Sequence, residues 1–142
     1  MLIRDCGPED VEAVLEFWKQ AAATPSVTDN ADDLLRAVTG RQTDVLVADD
    51  DGRIVGSVIG GFDGWRGNIY RLAVHPNHRR RGVARALVAE VEKRLIRQGA
   101  RRITALVEKD HPWATAFWEA VGYGADHRIV RHVRNSATSA AL

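Results

Sequence analysis

The chain has 142 residues, 45% hydrophobic and 27% charged, with a formal net charge of +1. That is the size and make-up of one globular domain with a real core, and the near-neutral charge argues against a bulk pull toward nucleic acid or an anionic membrane. A single cysteine, Cys6, excludes an internal disulfide and a cysteine-rich metal cluster, and no metal site is expected. No run has the apolar length of a membrane span, and the opening residues do not read as a secretory signal. The expectation is a cytoplasmic protein.

In chain order, Leu2 to Arg4 reads as a short strand, broken by Asp5-Cys6-Gly7-Pro8. From Glu9 to about Ala22, Val11, Val14, Leu15 and Trp18 recur at helical spacing. Thr24 to Thr28 is a loop, and Asn30 to Thr39 a second helix ended by Gly40. Val45–Ala48 and Ile54–Phe62 form a hairpin about Asp49-Asp50-Asp51-Gly52, and Asn68–Val74 follows the turn Asp63–Gly67 as a third meander strand. Gly82 to about Gln98 is an amphipathic helix with Ala84, Leu87, Val88, Val91 and Leu95 on its apolar face and Gly99 as its stop. Ile103–Val107 reads as a buried strand, Pro112 opens a helix to about Val121, and Ile129–Val133 reads as a last short strand. The Ser- and Ala-rich stretch from Asn135 to Leu142 is expected to fray. The order β-α-α-β-β-β-α-β-α-β is an α+β layout around a mixed sheet, in a single domain.

The stretch Leu72-Ala73-Val74-His75-Pro76-Asn77-His78-Arg79-Arg80-Arg81-Gly82-Val83-Ala84 carries the most chemistry. A strand breaks at a proline, passes three arginines and enters a glycine-started helix. Unpaired backbone N–H groups, a positive helix end and guanidinium groups then meet in one place, and each favours a phosphate. A bare run of three arginines would also suit a solvated charge patch, or a nucleic-acid site extended by Arg101-Arg102. The strand–loop–glycine–helix context favours the anion site, and the near-neutral charge argues against nucleic acid.

From Met1 to about Val133, this order and its motifs resemble the GNAT superfamily of acyl-CoA-dependent N-acetyltransferases. Arg79-Arg80-Arg81-Gly82-Val83-Ala84 is similar to the family's Gln/Arg-x-x-Gly-x-Gly/Ala loop. Ala114, Trp118, Gly122 and Tyr123 resemble its final helix and Gly-Phe/Tyr ending. Gly60-Gly61-Phe62-Asp63-Gly64-Trp65-Arg66-Gly67 looks like a bacterial subgroup of small members. The resemblance implies a mostly antiparallel central sheet flanked by about four helices over residues 1–134, with residues 135–142 as a tail.

It further implies acetyl-CoA as co-substrate. The N–H groups from Arg80 through Gly82, Val83 and Ala84 to Arg85 would cradle the pyrophosphate, and Arg79, Arg80, Arg81 and Arg85 would pair with phosphates. Leu72, Ala73 and Val74 would hydrogen-bond pantetheine as an added strand, and a bulge there would aim an amide at the thioester carbonyl. His111 stands where the family places a CoA-contacting Asn. An acceptor amine, on a small molecule or a protein, would attack the thioester directly in a ternary complex. Dimers are frequent among members, so a homodimer is a further expectation.

The usual acid/base positions depart from the family: Asn68 stands for a Glu and Trp118 for a Tyr. These departures leave open an alternative, a non-catalytic acyl-CoA-binding module of the same fold. Transfer remains feasible without an acid, because a thiol of pKa about 8.5 is a fair leaving group and alignment supplies much of the acceleration. Asp63 is a candidate base at the sheet rim, or else a turn residue capping its own backbone. Tyr70 is a second catalytic candidate beside the thioester, or else a core aromatic. Asp110 and His111, after the next strand, are further candidates, although His111 suits a CoA contact better. Trp18 and Trp65 are candidates for the acceptor wall, with packing as the alternative. Cys6 reads as a small buried hydrophobe, not a nucleophile.

Overall fold

The computed structural model describes residues 1–136. Its residues divide into two compact units, 1–106 and 107–142. In the first, five strands lie in the spatial order β1 (Leu2–Asp5), β2 (Thr43–Asp50), β3 (Arg53–Phe62), β4 (Gly67–Val74) and β5 (Ile103–Ala105). All neighbours are antiparallel except β4 and β5, which run parallel. The expected α+β architecture around a mixed sheet is therefore present.

Local chemistry sets the elements. Asp51 and Gly52, with φ +52° and +87°, make the left-handed two-residue turn that joins β2 to β3. Helix α1 (Val11–Gln20) follows a short 3-10 turn at Pro8–Asp10, so the first helix starts later than its periodicity suggests. The 3-10 turn is tied by Asp10, whose carboxylate accepts from the Gly7 N–H at 2.8 Å and from the Arg4 guanidinium at 2.7 Å. Asn30 caps α2 (Ala31–Thr39) by accepting from the Asp33 N–H at 2.9 Å.

Helices α1 and α2 cover one sheet face. Val11, Val14, Phe17, Trp18 and Leu34 pack there with Val45, Val47, Ala73 and Cys6. Burial pushes the Cys6 thiol up to about 11, consistent with an inert packing residue. Helix α3 (Val83–Gln98) covers the other face with Val83, Leu87, Val88, Val91 and Leu95. It approaches closely because the sheet offers glycines beneath it. A Cβ on Gly56 would stand 2.9 Å from Leu87 and Val83 side chains, and one on Gly60 only 2.3 Å from Val91.

The expected strand Ile103–Val107 ends at Ala105, and Leu106 and Val107 are exposed. A parallel partner can follow β4 only as far as β4 keeps its register, and β4 bulges after Tyr70.

In the second unit, α4 (Pro112–Ala120) buries Ala114 and Trp118. Trp118 meets Phe117 and Tyr123 edge-on, at 5.4 and 4.9 Å between ring centroids. Ile129–Val133 is not a strand: Ile129, Val130 and Val133 are exposed. The run does not alternate, and among the described residues the unit holds no strand to pair with it. The expected tail falls outside the described residues beyond Ser136. Among the described residues, no helix is long and apolar enough to cross a membrane.

Candidate cofactor and transfer site

The site grows from the second half of β4. Tyr70 faces Ile59, yet Ala73 faces Ser57, so β4 spends three steps where β3 spends two. The extra residue makes a bulge at Arg71, whose φ of +54° is left-handed. The Arg71 carbonyl accepts from the Ser57 hydroxyl at 3.0 Å, and that hydroxyl accepts from the Trp18 indole N–H at 2.9 Å. Beyond Ile69, which accepts from the Leu106 N–H at 3.1 Å, β4 has β3 on one side and no strand on the other among the described residues. Leu72, Ala73 and Val74 thus lie on a backbone edge that no strand pairs among the described residues, as an added amide-bearing chain would require.

That edge leads directly to the arginine loop. His75 accepts from the Asn77 N–H at 3.1 Å and caps the 3-10 turn Pro76–His78. Burial lowers the His75 pKa, and the neighbouring guanidinium groups of Arg53 and Arg79 lower it further. Arg80 at φ +63° and Gly82 at φ +80° put two left-handed residues within three positions, the tight reversal of an anion-binding nest. Gly82 is the N-cap of α3, with no side-chain cap and no acidic residue in the first turn, so the positive helix end is uncompensated. Arg79, Arg80, Arg81 and Arg85 are exposed around it. A Cβ on Gly82 would meet nothing within 4 Å. N–H donors, guanidinium groups and an open approach form a set suited to a pyrophosphate.

The remaining candidates separate. Asp63 accepts from the N–H groups of Arg66 at 2.7 Å and Trp65 at 2.8 Å, through one carboxylate oxygen. These bonds, Arg66 first, hold its carboxyl below the usual carboxylate range. The carboxylate thus caps its own turn, the alternative reading of Asp63. Tyr70 is on the α1/α2 side of the sheet, one residue before the bulge, and 38% exposed; it is not the core aromatic of the packing alternative. Trp18 is 5% exposed and packs in the core, its indole N–H donating to Ser57, which is the packing alternative. Trp65 is 73% exposed, stacked by the Arg66 guanidinium at 4.2 Å. Its surroundings are a shallow hollow of about 410 Å³ with Gly64, Gly99, Arg101 and Arg102. His111 belongs to the second unit, where its ring pairs with Glu108 at 2.5 Å and the residue caps α4.

Sequence reasoning missed Ser57, Asp29 and the role of Arg71. The one available signal was a lone hydroxyl in the apolar and glycine strand Ile54–Phe62, a polar group that must find partners once buried.

The Acetyltransferase (GNAT) family profile matches residues 11–123. An acetyltransferase of Pectobacterium atrosepticum is 38% identical over 123 residues, covering 87% of each chain. An aminoglycoside antibiotic 6′-N-acetyltransferase of Acinetobacter haemolyticus shares the fold, with a TM-score of 0.79 at 16% identity over 96% of this chain and 100% of that one. So does a PaiA N-acetyltransferase of Thermoplasma acidophilum solved in complex with coenzyme A, with a TM-score of 0.78 at 18% identity over 88% of this chain and 90% of that one. The chain therefore belongs to the GNAT family of acetyl-CoA-dependent N-acetyltransferases.

Proposed function

We propose that this chain transfers the acetyl group of acetyl-CoA to a primary amine of a small molecule, by direct attack within a ternary complex. The carrying observation is the continuity of three features: the β4 edge that no strand pairs among the described residues, the bulge at Arg71, and the left-handed, uncapped start of α3 at Gly82. In this reading the backbone from Arg80 to Arg85, through Gly82, Val83 and Ala84, cradles the pyrophosphate. Arg79, Arg80, Arg81 and Arg85 supply the countercharge, and Leu72, Ala73 and Val74 bind pantetheine through the strand edge.

The bound thioester supplies an activated acyl carbon and a thiol leaving group. The bulge backbone faces charge that develops on the acyl oxygen, which fixed dipoles stabilise strongly in a dry site. Tyr70 is the titratable side chain next to the bulge and is assigned the handling of the proton. Asp63 is left out because its carboxylate is already used within its own turn. His111 is left out because Glu108 engages its ring. The acceptor class draws support from the aminoglycoside acetyltransferase of the same fold.

The test is titration calorimetry with acetyl-CoA on the wild type and on Gly82→Trp, followed by thiol release across aminoglycosides, polyamines and amino acids. Micromolar binding lost in the variant, with turnover on at least one amine, is the expected result. A well-folded wild type that does not bind acetyl-CoA would overturn the site assignment. Binding without turnover on any amine would overturn the transfer.

A further inference from the structure

Arg71 is held at both ends in a way its strand position alone does not require. Its left-handed backbone is a conformation that an L-residue keeps only where its surroundings over-determine it. At one end its carbonyl is gripped by Ser57, a hydroxyl with 0% exposure that Trp18 in turn holds. At the other end one guanidinium nitrogen donates to both carboxylate oxygens of Asp29, at 2.6 and 2.7 Å. A second nitrogen donates to the Thr24 carbonyl at 2.7 Å, and the group lies 5.0 Å over the Trp18 ring. Both partners of the ion pair are about four-fifths shielded from solvent, so it is tighter than an ordinary surface pair. Asp29 is itself set by the Ser26 N–H at 3.1 Å. Thr24, Ser26 and Asp29 all belong to the connection between α1 and α2. One side chain thus fastens that connection to the bulge.

We propose that Arg71 is a positioning residue that couples the cofactor-binding edge of β4 to the α1–α2 connection. Seating the cofactor along Leu72–Val74 fixes the bulge, and through Arg71 and Asp29 it orders residues 21–30. The converse also holds: loosening Asp29 releases the bulge that faces the thioester. The inference rests on the assignment of the β4 edge to pantetheine.

Hydrogen exchange with coenzyme A as the probe tests the coupling without an acceptor. In the wild type, saturation with coenzyme A is expected to slow exchange at amides 21–30 by about fivefold or more. In Arg71→Gln and in Asp29→Asn that protection is lost, each variant being measured at a coenzyme A concentration that saturates it. Arg71→Lys keeps the charge without the planar fork and recovers part of the protection, which a purely structural role would not produce. Should Arg71→Gln fail to fold, Asp29→Asn, in an exposed connection, carries the same test. Equal protection of residues 21–30 in wild type and variants overturns the coupling. So does a wild type that binds coenzyme A with no protection there. A wild type that does not bind coenzyme A removes the β4 assignment first, and the coupling with it.

Discussion

Gly82→Ala separates the cost of a backbone conformation from the cost of a blocked anion site. At φ +80° the alanine bears left-handed strain of about 1–2 kcal/mol. Its stiffer unfolded chain returns about 0.4–1 kcal/mol. The added Cβ touches nothing within 4 Å, so no clash adds to the account. The net loss is about 1 kcal/mol, a Tm decrease of about 4 °C for a chain of this size. In the proposed site binding suffers more, because the added Cβ would stand beside the N–H groups of α3 that take the phosphate. Loss of one charge-assisted hydrogen bond costs about 1.5–3 kcal/mol, equivalent to about 10- to 150-fold in Kd. The assay is coenzyme A calorimetry beside urea denaturation, with Gly99→Ala as control. Gly99 is also left-handed, at φ +116°, but it caps the other end of α3. It should lose at least as much stability and bind normally. If Gly82→Ala binds coenzyme A as well as Gly99→Ala does, the cradle reasoning is refuted.

Three further outcomes are expected. Asp63→Asn keeps an oxygen to accept from Trp65 and Arg66, so acetyl transfer should stay within about twofold; a loss of about 100-fold would restore Asp63 as the base. Ser57→Ala leaves the Trp18 N–H and the Arg71 carbonyl unpaired in the core, with an expected loss of about 1–3 kcal/mol by urea denaturation; a neutral variant would show that water replaces the hydroxyl. His75 has a lowered folded pKa, so the unfolded chain binds its proton more readily, and stability should fall as pH drops below the ordinary imidazole range. Replacing His75 by Gln should flatten the change in urea midpoint between pH 7.5 and pH 5.5, and an unchanged slope would assign that dependence to other groups.

Much of the framework was legible because the chain punctuates itself with residues of narrow conformational use. Asp51-Gly52 announced the hairpin, and Gly82 and Gly99 marked both ends of α3. The bulge on β4 was expected from the family resemblance, but not that a non-glycine residue, Arg71, would occupy its left-handed position. Sequence position cannot show that Arg71 would find Asp29, 42 residues away, since only folding makes that pair adjacent. Asp63 looked free to act as a base because the two N–H groups that engage it belong to its own turn. The apolar letters of Ile129–Val133 suggested a strand, but a strand is defined by its neighbour, and the run supplies none.

The closeness of α3 to the sheet also makes the space between them a shared volume. At position 60 the whole allotment belongs to Val91, whose side chain lies 2.3 Å from where a Cβ would be. A larger residue at 60 is therefore tolerable only if 91 gives up a similar amount, so Gly60→Val with Val91→Gly should be far less harmful than Gly60→Val alone. Without that exchange α3 would have to lift, and because its first turn continues directly from the arginine loop, a packing fault near its middle would be felt as misplaced anion donors at its start. The glycines of β3 therefore set the aim of α3 as well as its fit.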